Sequence, residues 1–367
     1  MPAVREIIEA ILDRAPACLA EEWDNIGLQV GDPEAPVSRV LLAVDVTPRT
    51  VVAAAASGAQ LLLAHHPLIL TPLKQVAADD AVGALVRQAI EAGVAIVSMH
   101  TNLDVAPGGL CDLLAAALGL TATRPLLPVT GRAVKLVVFV PPTHLEEVRE
   151  AMSRAGAGRI GNYEECAFVS HGTGSYRPLP GAKPFAGRPG RLEFAEEVRL
   201  EMLAAKSLLP PVISAMQAAH PYEEVAYDIY PLDSVFPAAG FGRLGRLPAP
   251  SSLEDFSLRA KKALSVGSAR LLGDGKSSVE MVAVTSGSGG SLIAPAHRAG
   301  AQLLVASDIN HHQRLLAEQL GLAILDLGHL ATERLAVDFF RQTLAARFGD
   351  ALDSLAAEEG AEPFHAI

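Results

Sequence analysis

Residues 61–70 read LLLAHHPLIL: four apolar residues, two adjacent histidines, and a proline that turns the chain. A short, continuous Leu-rich run of this kind marks a strand buried on both faces, as in a parallel sheet. The flanking sequence repeats the pattern. Val40–Val46 reads as a strand and Thr50–Ser57 as a helix leading into the strand Gln60–Ala64. Beyond the histidines, Ala81–Ala92 reads as a helix, Val94–Ser98 as a strand and Gly108–Leu118 as a helix, the whole preceded by a helix that opens at Val4. Apolar strands alternating with Ala-rich amphipathic helices predict an α/β fold.

The same grammar returns near the C-terminus. Val279–Thr285, Gln302–Ala306 and Ala323–Asp326 read as strands, and Ser291–Ala299, Gln313–Leu320 and Leu330 to about Ala346 as helices. Between these blocks the pattern changes. Ala133–Val140 is a predicted strand, and a helix over His144–Ala155 is expected to start from a Thr143 N-cap. Strands at Cys166–Ser170 and Arg191–Val198 flank the Gly/Pro-rich stretch Gly172–Gly190, and the helix Leu208–Ala219 and the strand Val225–Leu232 follow. The order β-α-β-β-α-β predicts a ferredoxin-like α+β sandwich inserted into a split α/β core. The expected segments are 1–131, first half of the core; 132–237, the insert; and 238–367, second half of the core.

Composition narrows the function classes. With 41 acidic and 30 basic residues the 367-residue chain carries a net charge of −11, and half of it is apolar, which excludes a disordered chain. No dense basic run is present to neutralise phosphates, so a nucleic-acid groove is not expected. Three scattered cysteines, Cys18, Cys111 and Cys166, form no Cys-x-x-Cys pair and point to a reducing compartment. The N-terminus lacks an apolar leader core, and no stretch of about 18 apolar residues follows, so a cytoplasmic protein without a membrane segment is expected.

Among eleven histidines, position singles out a few. His65 and His66 stand where a parallel strand ends, the edge at which α/β sheets gather ligands. Adjacent side chains in extended backbone point apart, so the pair suits two neighbouring ions better than one. MHTNLDVAPGG brings His100, Thr101 and Asp104 to an equivalent edge, although Asp104 could instead cap the next helix. In LDLGHLATERL, His329 and Glu333 stand four residues apart, on one face of a starting helix. Imidazole and carboxylate donors with no cysteine nearby suit Zn, Mn, Fe or Co. Two such ions about 3.5–4 Å apart are the usual equipment of metal-dependent hydrolysis. Two Gly-rich elements, Gly287–Ser291 and Gly240–Arg243, could present backbone N–H groups to an anion or simply form tight turns.

Further motifs carry a resemblance. EEWDNIGLQVG (21–31), HHP (65–67), HTNLD (100–104), TSGSGGS (285–291), SDINHH (307–312) and GHLATE (328–333) run in order along almost the whole chain. Together they resemble the Ngg-interacting-factor-three-like family, whose members bear the name GTP cyclohydrolase I type 2 homolog. The stretch from about Val134 to Leu232, ending in HPYEEVAYDIY, is similar to the PII-type and CutA-type domain inserted in the longer bacterial members. The resemblance implies two related α/β units with a dinuclear metal centre between them, in a hexameric ring whose metal sites face inward. The ligands it implies are His65, His66, Asp104, His329 and Glu333, with Glu333 as the bridging carboxylate. His100, Asp308 and His312 remain as catalytic candidates. One departure is Ser307, where the family usually has glycine. The expected function is metal-dependent hydrolysis of a nucleotide or other small phosphorylated or heterocyclic compound, with opening of the GTP imidazole ring as the named candidate. The alternative is a non-enzymatic metal-binding or metal-delivery ring.

Overall fold

The computed structural model describes residues 1–161, 163–233 and 235–359. Residues 360–367 of the expected third segment, and residues 162 and 234 of the expected insert, lie outside the described residues. The chain divides into two compact units, one formed by Met1–Val129 with Phe236–Ile367 and the other by Thr130–Val235.

In chain order the strands begin with β1 (Gly27–Val30), β2 (Arg39–Ala43), β3 (Leu61–Ala64), β4 (Ala95–Ser98) and β5 (Thr121–Thr130). Next come β6 (Ala133–Val140), β7 (Ala167–Tyr176), β8 (Glu193–Ala205) and β9 (Tyr227–Leu232). The last are β10 (Val235–Ser252), β11 (Arg270–Leu272), β12 (Ser278–Ser288), β13 (Leu303–Ser307), β14 (Ala323–Asp326) and β15 (Asp353–Ala356).

The larger unit holds two sheets built on one plan. In the first, ordered β1-β4-β3-β2-β15, the strands β2, β3 and β4 run parallel and β1 pairs antiparallel with β4. In the second, ordered β11-β14-β13-β12-β10-β5, the strands β12, β13 and β14 run parallel and β11 pairs antiparallel with β14. Each half therefore sends one strand ahead to pair with the last of its three parallel strands. Every residue of β3, β4, β13 and β14 is buried, because helices cover both faces. On the first sheet, Ile7 and Ile11 of the N-terminal helix and Phe339 and Phe340 of the last helix pack against Leu42, Leu61 and Leu63. Val51, Ala54 and Val86 cover Leu41, Leu62 and Ile96 on the other face. A buried leucine here contributes roughly 1.5–3 kcal/mol relative to exposure, so burial on both faces holds the register of these short strands.

Register positions the chemistry. Ala64 stands between Ala43 and Ser98, so β2, β3 and β4 end level with one another. In the second sheet Ala306 of β13 stands beside Asp326, which ends β14.

The smaller unit has four antiparallel strands ordered β7-β8-β6-β9. Helices Leu145–Arg154 and Leu209–Ala219 pack Val148, Met152, Val212 and Met216 on Leu136, Val138, Leu200 and Met202, a core of its own.

Some local expectations are corrected. The helix expected over Leu330–Ala346 is two, His329–Glu333 and Leu335–Phe348. Thr332 Oγ1 donates back to the His329 carbonyl at 2.8 Å and accepts from Gly287 N at 3.0 Å, and this local bonding ends the first helix. Thr143 is not an N-cap: Pro142–His144 forms a tight turn, the helix starts at Leu145, and the Thr143 hydroxyl lies 2.9 Å from His144 Nδ1 instead. Strand β7 runs on to Tyr176, through Gly172 and Gly174, because its pairing with β8 persists over the whole length and overrides the weak strand preference of glycine. Strands β1, β5, β10, β11 and β15 and the helix Leu253–Ala263 were not anticipated.

Candidate metal centre

The two halves deliver their polar residues at matching places. After β4 comes His100, then the one-turn helix Thr101–Val105 carrying Asp104. After β14 comes the one-turn helix His329–Glu333. In both, a histidine precedes an acid by four residues, at the carboxyl end of the third parallel strand. The middle strands end in His65-His66 and in Ser307-Asp308, and the first strand β2 leads to Asp45.

These residues meet. Glu333 Oε2 lies 3.0 Å from His66 Nε2 and 2.9 Å from His329 Nε2, while its Oε1 lies 3.8 Å from His65 Nε2. Each carboxylate oxygen thus faces one of the two adjacent histidines. Asp104 Oδ1 stands 3.6 Å from His65 Nε2 and accepts from the Ser286 hydroxyl at 2.8 Å. The His100 ring centroid lies 5.3 Å from that of His65 and 5.4 Å from that of His66. Two sets of donor atoms each fit within 4.8 Å, His65-His66-His100 and His66-His329-Glu333.

Behind the rings, every Nδ1 is tied down. His65 Nδ1 lies 2.9 Å from the Met99 carbonyl, His66 Nδ1 2.8 Å from Asp45 Oδ1, His100 Nδ1 2.9 Å from Asp24 Oδ1 and His329 Nδ1 2.5 Å from Asp308 Oδ2. A carbonyl only accepts, so the proton of neutral His65 sits on Nδ1 and the lone pair on Nε2 points into the cluster. That Nε2 is buried without a hydrogen-bond partner, 3.8 Å from Glu333 Oε1 and 3.6 Å from Asp104 Oδ1. An orphaned buried polar atom is rare, and this one aims at the carboxylates. Imidazoles held through Nδ1 by carboxylates or carbonyls, with Nε2 free to donate, are the ordinary arrangement around a metal ion. The residues present therefore fit a divalent cation.

Electrostatics agree. Burial drives the His65 imidazolium down to about 3, so the ring is neutral near pH 7. Burial also opposes charge on His66, but its bonds to Asp45 and Glu333 outweigh this and carry it to about 10. Glu333 together with Asp308 lifts His329 to about 9 against its burial. Glu333, despite burial, is held well below the usual carboxylate range by His329 and His66. Burial and the nearby Glu333 charge raise Asp104 to about 7. Protons on His66 and His329 thus compensate Glu333, and a cation in the same place would displace them.

The Gly-rich stretch 285–291 serves close packing. A Cβ at Gly287, whose φ is +55°, would lie 2.2 Å from Glu333 Oε1, so only glycine lets β12 approach the carboxylate. Ser307 needs no glycine: the left-handed conformation falls on Asp308, φ 58°, and the buried Ser307 hydroxyl donates to the Gly287 carbonyl at 2.6 Å.

Of the residues singled out from sequence, the structure brings together His65, His66, His100, Asp104, His329 and Glu333. Asp308 stands behind His329 as its partner. His312 is exposed, its ring edge-on to His311 at 5.5 Å. One expectation is corrected: a cysteine does lie close by. Cys111 Sγ is 3.5 Å from the Ser286 hydroxyl that bonds Asp104, and burial pushes its thiol up. Sequence reasoning missed Asp24, Asp45 and Ser286. Asp45 follows the parallel strand β2 and so shares the positional signal of the histidines, whereas Asp24 precedes β1 and reaches His100 only through the fold.

The chain is similar to known proteins over most of its length. The model of the Duf34/NIF3 (NGG1p interacting factor 3) family matches residues 2–359. The chain is 44% identical over 316 residues to a protein of Halalkalibacterium halodurans named GTP cyclohydrolase 1 type 2 homolog, covering 86% of this chain and 85% of that one. It is 43% identical over 328 residues to the Bacillus subtilis protein of the same name, covering 89% and 88%. Among solved structures it is similar to a Bacillus cereus protein related to NIF3, with a TM-score of 0.71, 42% identity and coverage of 100% and 99%. The chain belongs to the Duf34/NIF3 family.

Proposed function

We propose that this protein is a metal-dependent hydrolase acting on a nucleotide or another small phosphorylated or heterocyclic compound, with opening of the GTP imidazole ring as the first candidate reaction. His65, His66, Asp104, His329 and Glu333 would hold two divalent ions of Zn, Mn, Fe or Co. One observation carries the reading: anchored imidazoles converge with the buried Glu333 carboxylate on a point where His65 Nε2 has no hydrogen-bond partner. Such ions polarise a substrate oxygen and make water nucleophilic near neutral pH.

The chain's own residues orient and transfer. Asp45, Asp24 and Asp308 fix the rings of His66, His100 and His329. His100, with Nδ1 on Asp24, is placed to hold or move a proton at Nε2 beside His65 and His66. Ser286 orients Asp104. The side chains of His66 and His329 keep 24% and 33% of their exposure while His65 and Glu333 keep 0% and 5%, so substrate reaches the centre from the His66-His329 side.

The assembly proposed with this activity is a homohexameric ring in the cytoplasm. None of the three cysteines is in a disulfide, and among the described residues no helix is long and apolar enough to cross a membrane. Light scattering on a size-exclusion column tests the ring: six times the 38.4 kDa chain is expected, and a concentration-independent monomer overturns it. Activity is tested by screening metal-loaded protein against nucleoside triphosphates and phosphoesters. Turnover that is lost in Asp104→Ala is expected. No turnover at full metal occupancy would favour the non-enzymatic metal-binding reading.

A further inference from the structure

The motif HPYEEVAYDIY has no part in the metal centre, and in the smaller unit it helps to wall a second cavity, of about 560 Å³. That volume falls in the range of small-molecule sites, roughly 300–1,000 Å³. Its wall joins the aromatic rings of Phe139, Tyr176, Phe185 and Tyr222 to the carboxylate of Glu197.

The aromatic side is built and held. The Phe185 ring lies 5.9 Å from Tyr222 and edge-on to His144 at 5.4 Å. His220 Nε2 donates to the Phe139 carbonyl at 3.0 Å, so its Nδ1 accepts from Tyr222 N at 3.1 Å and fixes that residue's backbone. The segment that carries Phe185 is pinned at several points: the Tyr176 hydroxyl donates to the Ala186 carbonyl at 2.9 Å, Gly190 N to the Pro178 carbonyl at 2.7 Å, and Lys183 N to Glu223 Oε2 at 2.8 Å.

The acidic side is equally specific. Tyr222 Oη donates to Glu197 Oε1 at 3.0 Å, and burial together with Glu197 keeps the phenol protonated. Glu197 accepts this one bond and retains capacity for more, since a carboxylate offers about four lone-pair sites. Strand β7 carries glycine where that carboxylate comes through: a Cβ at Gly174 would lie 2.0 Å from Glu197 Oε2. Glu223 and Glu224 also line the cavity, against one cation, Arg177. Aromatic faces attract cations, and an excess of carboxylates adds to that attraction.

We propose that this cavity binds a small organic cation, an ammonium or guanidinium group carried on an apolar body that packs on Phe185 and Tyr222 while Glu197 accepts its N–H donors. Neither the metal centre nor its chemistry is involved. The test is calorimetric titration of the full-length, metal-loaded protein with benzylammonium and with its neutral isostere benzyl alcohol. Benzylammonium should bind at least tenfold more tightly than the alcohol. Glu197→Gln should remove that preference, and Phe185→Ala, which truncates a half-exposed ring and leaves the core untouched, should weaken benzylammonium severalfold. Glu91→Gln, an exposed change in the other unit, should alter nothing. Equal binding of the two probes, no binding of benzylammonium at millimolar concentration, or unchanged binding by both the Glu197 and Phe185 variants overturns the proposal.

Discussion

The two α/β halves of the larger unit share a strand plan but contribute different chemistry at matching positions. The end of the middle strand carries His65-His66 in the first half and Ser307-Asp308 in the second; the third strand leads to His100 with Asp104 in one and His329 with Glu333 in the other. The first half thus brings three imidazoles with Asp104, and the second brings one imidazole with Glu333, which is more enclosed than Asp104. A common scaffold sets where donors emerge, and substitution within it sets charge. The donor set His66-His329-Glu333 draws on both halves, and the core around Leu42 and Leu61 is shared with Phe339 and Phe340, so the halves are interdependent.

The strongest way to break this comparison is to remove the second half's carboxylate. Glu333→Ala should abolish binding of both proposed ions, because Oε1 faces His65 and Oε2 faces His66 and His329; elemental analysis after dialysis reads the loss. Retention of either ion would show that the first half suffices. Gly287→Ala should come close in effect. Its Cβ would stand 2.2 Å from Glu333 Oε1 at a φ of +55°, so metal content should fall by at least one equivalent while circular dichroism keeps the α/β signature.

Sharper discrimination comes from behind the rings. Asp45→Ala and Asp308→Ala each free one histidine, on opposite halves. Metal affinity should weaken about 10–100-fold in each, the usual cost of losing such a partner. Competition with a chromophoric chelator measures it, and a loss confined to one of the two variants would mean that only one half is tightly tuned.

The smallest effect is expected from the insert. Deleting residues 132–237 and joining the ends with a short flexible linker should leave metal stoichiometry unchanged. All cluster residues lie outside it, and the flanking strands β5 and β10 are neighbours in one sheet, which brings the cut ends together. An insoluble or metal-free product would make the insert part of the core.

Legibility followed burial. Strands buried on both faces, such as Leu61–Ala64 and Ala323–Asp326, are plain in the sequence as apolar runs, and the histidines at their ends follow directly. Edge strands β1, β11 and β15 are short and only partly buried, so no apolar run announces them. Strand β7 is mostly exposed and contains glycines, and its full length exists only through its partner β8. In the candidate site, adjacency in sequence revealed His65-His66 and the His329/Glu333 spacing. The carboxylates behind the rings lie 21 to 76 positions from their histidines, beyond any local pattern: Asp24 meets His100 across 76 positions, and Asp45 meets His66 and Asp308 meets His329 across 21. Only the fold joins them.

The central claim, a two-ion centre assembled from both halves, is tested most directly by metal stoichiometry. Inductively coupled plasma analysis of the native protein, His65→Ala and His329→Ala after exhaustive dialysis should give about two equivalents per chain for the native protein, as expected of a two-metal site, and fewer in each variant. Two equivalents surviving in either variant, or none bound by the native protein after incubation with Zn, Mn, Fe or Co, would contradict the account.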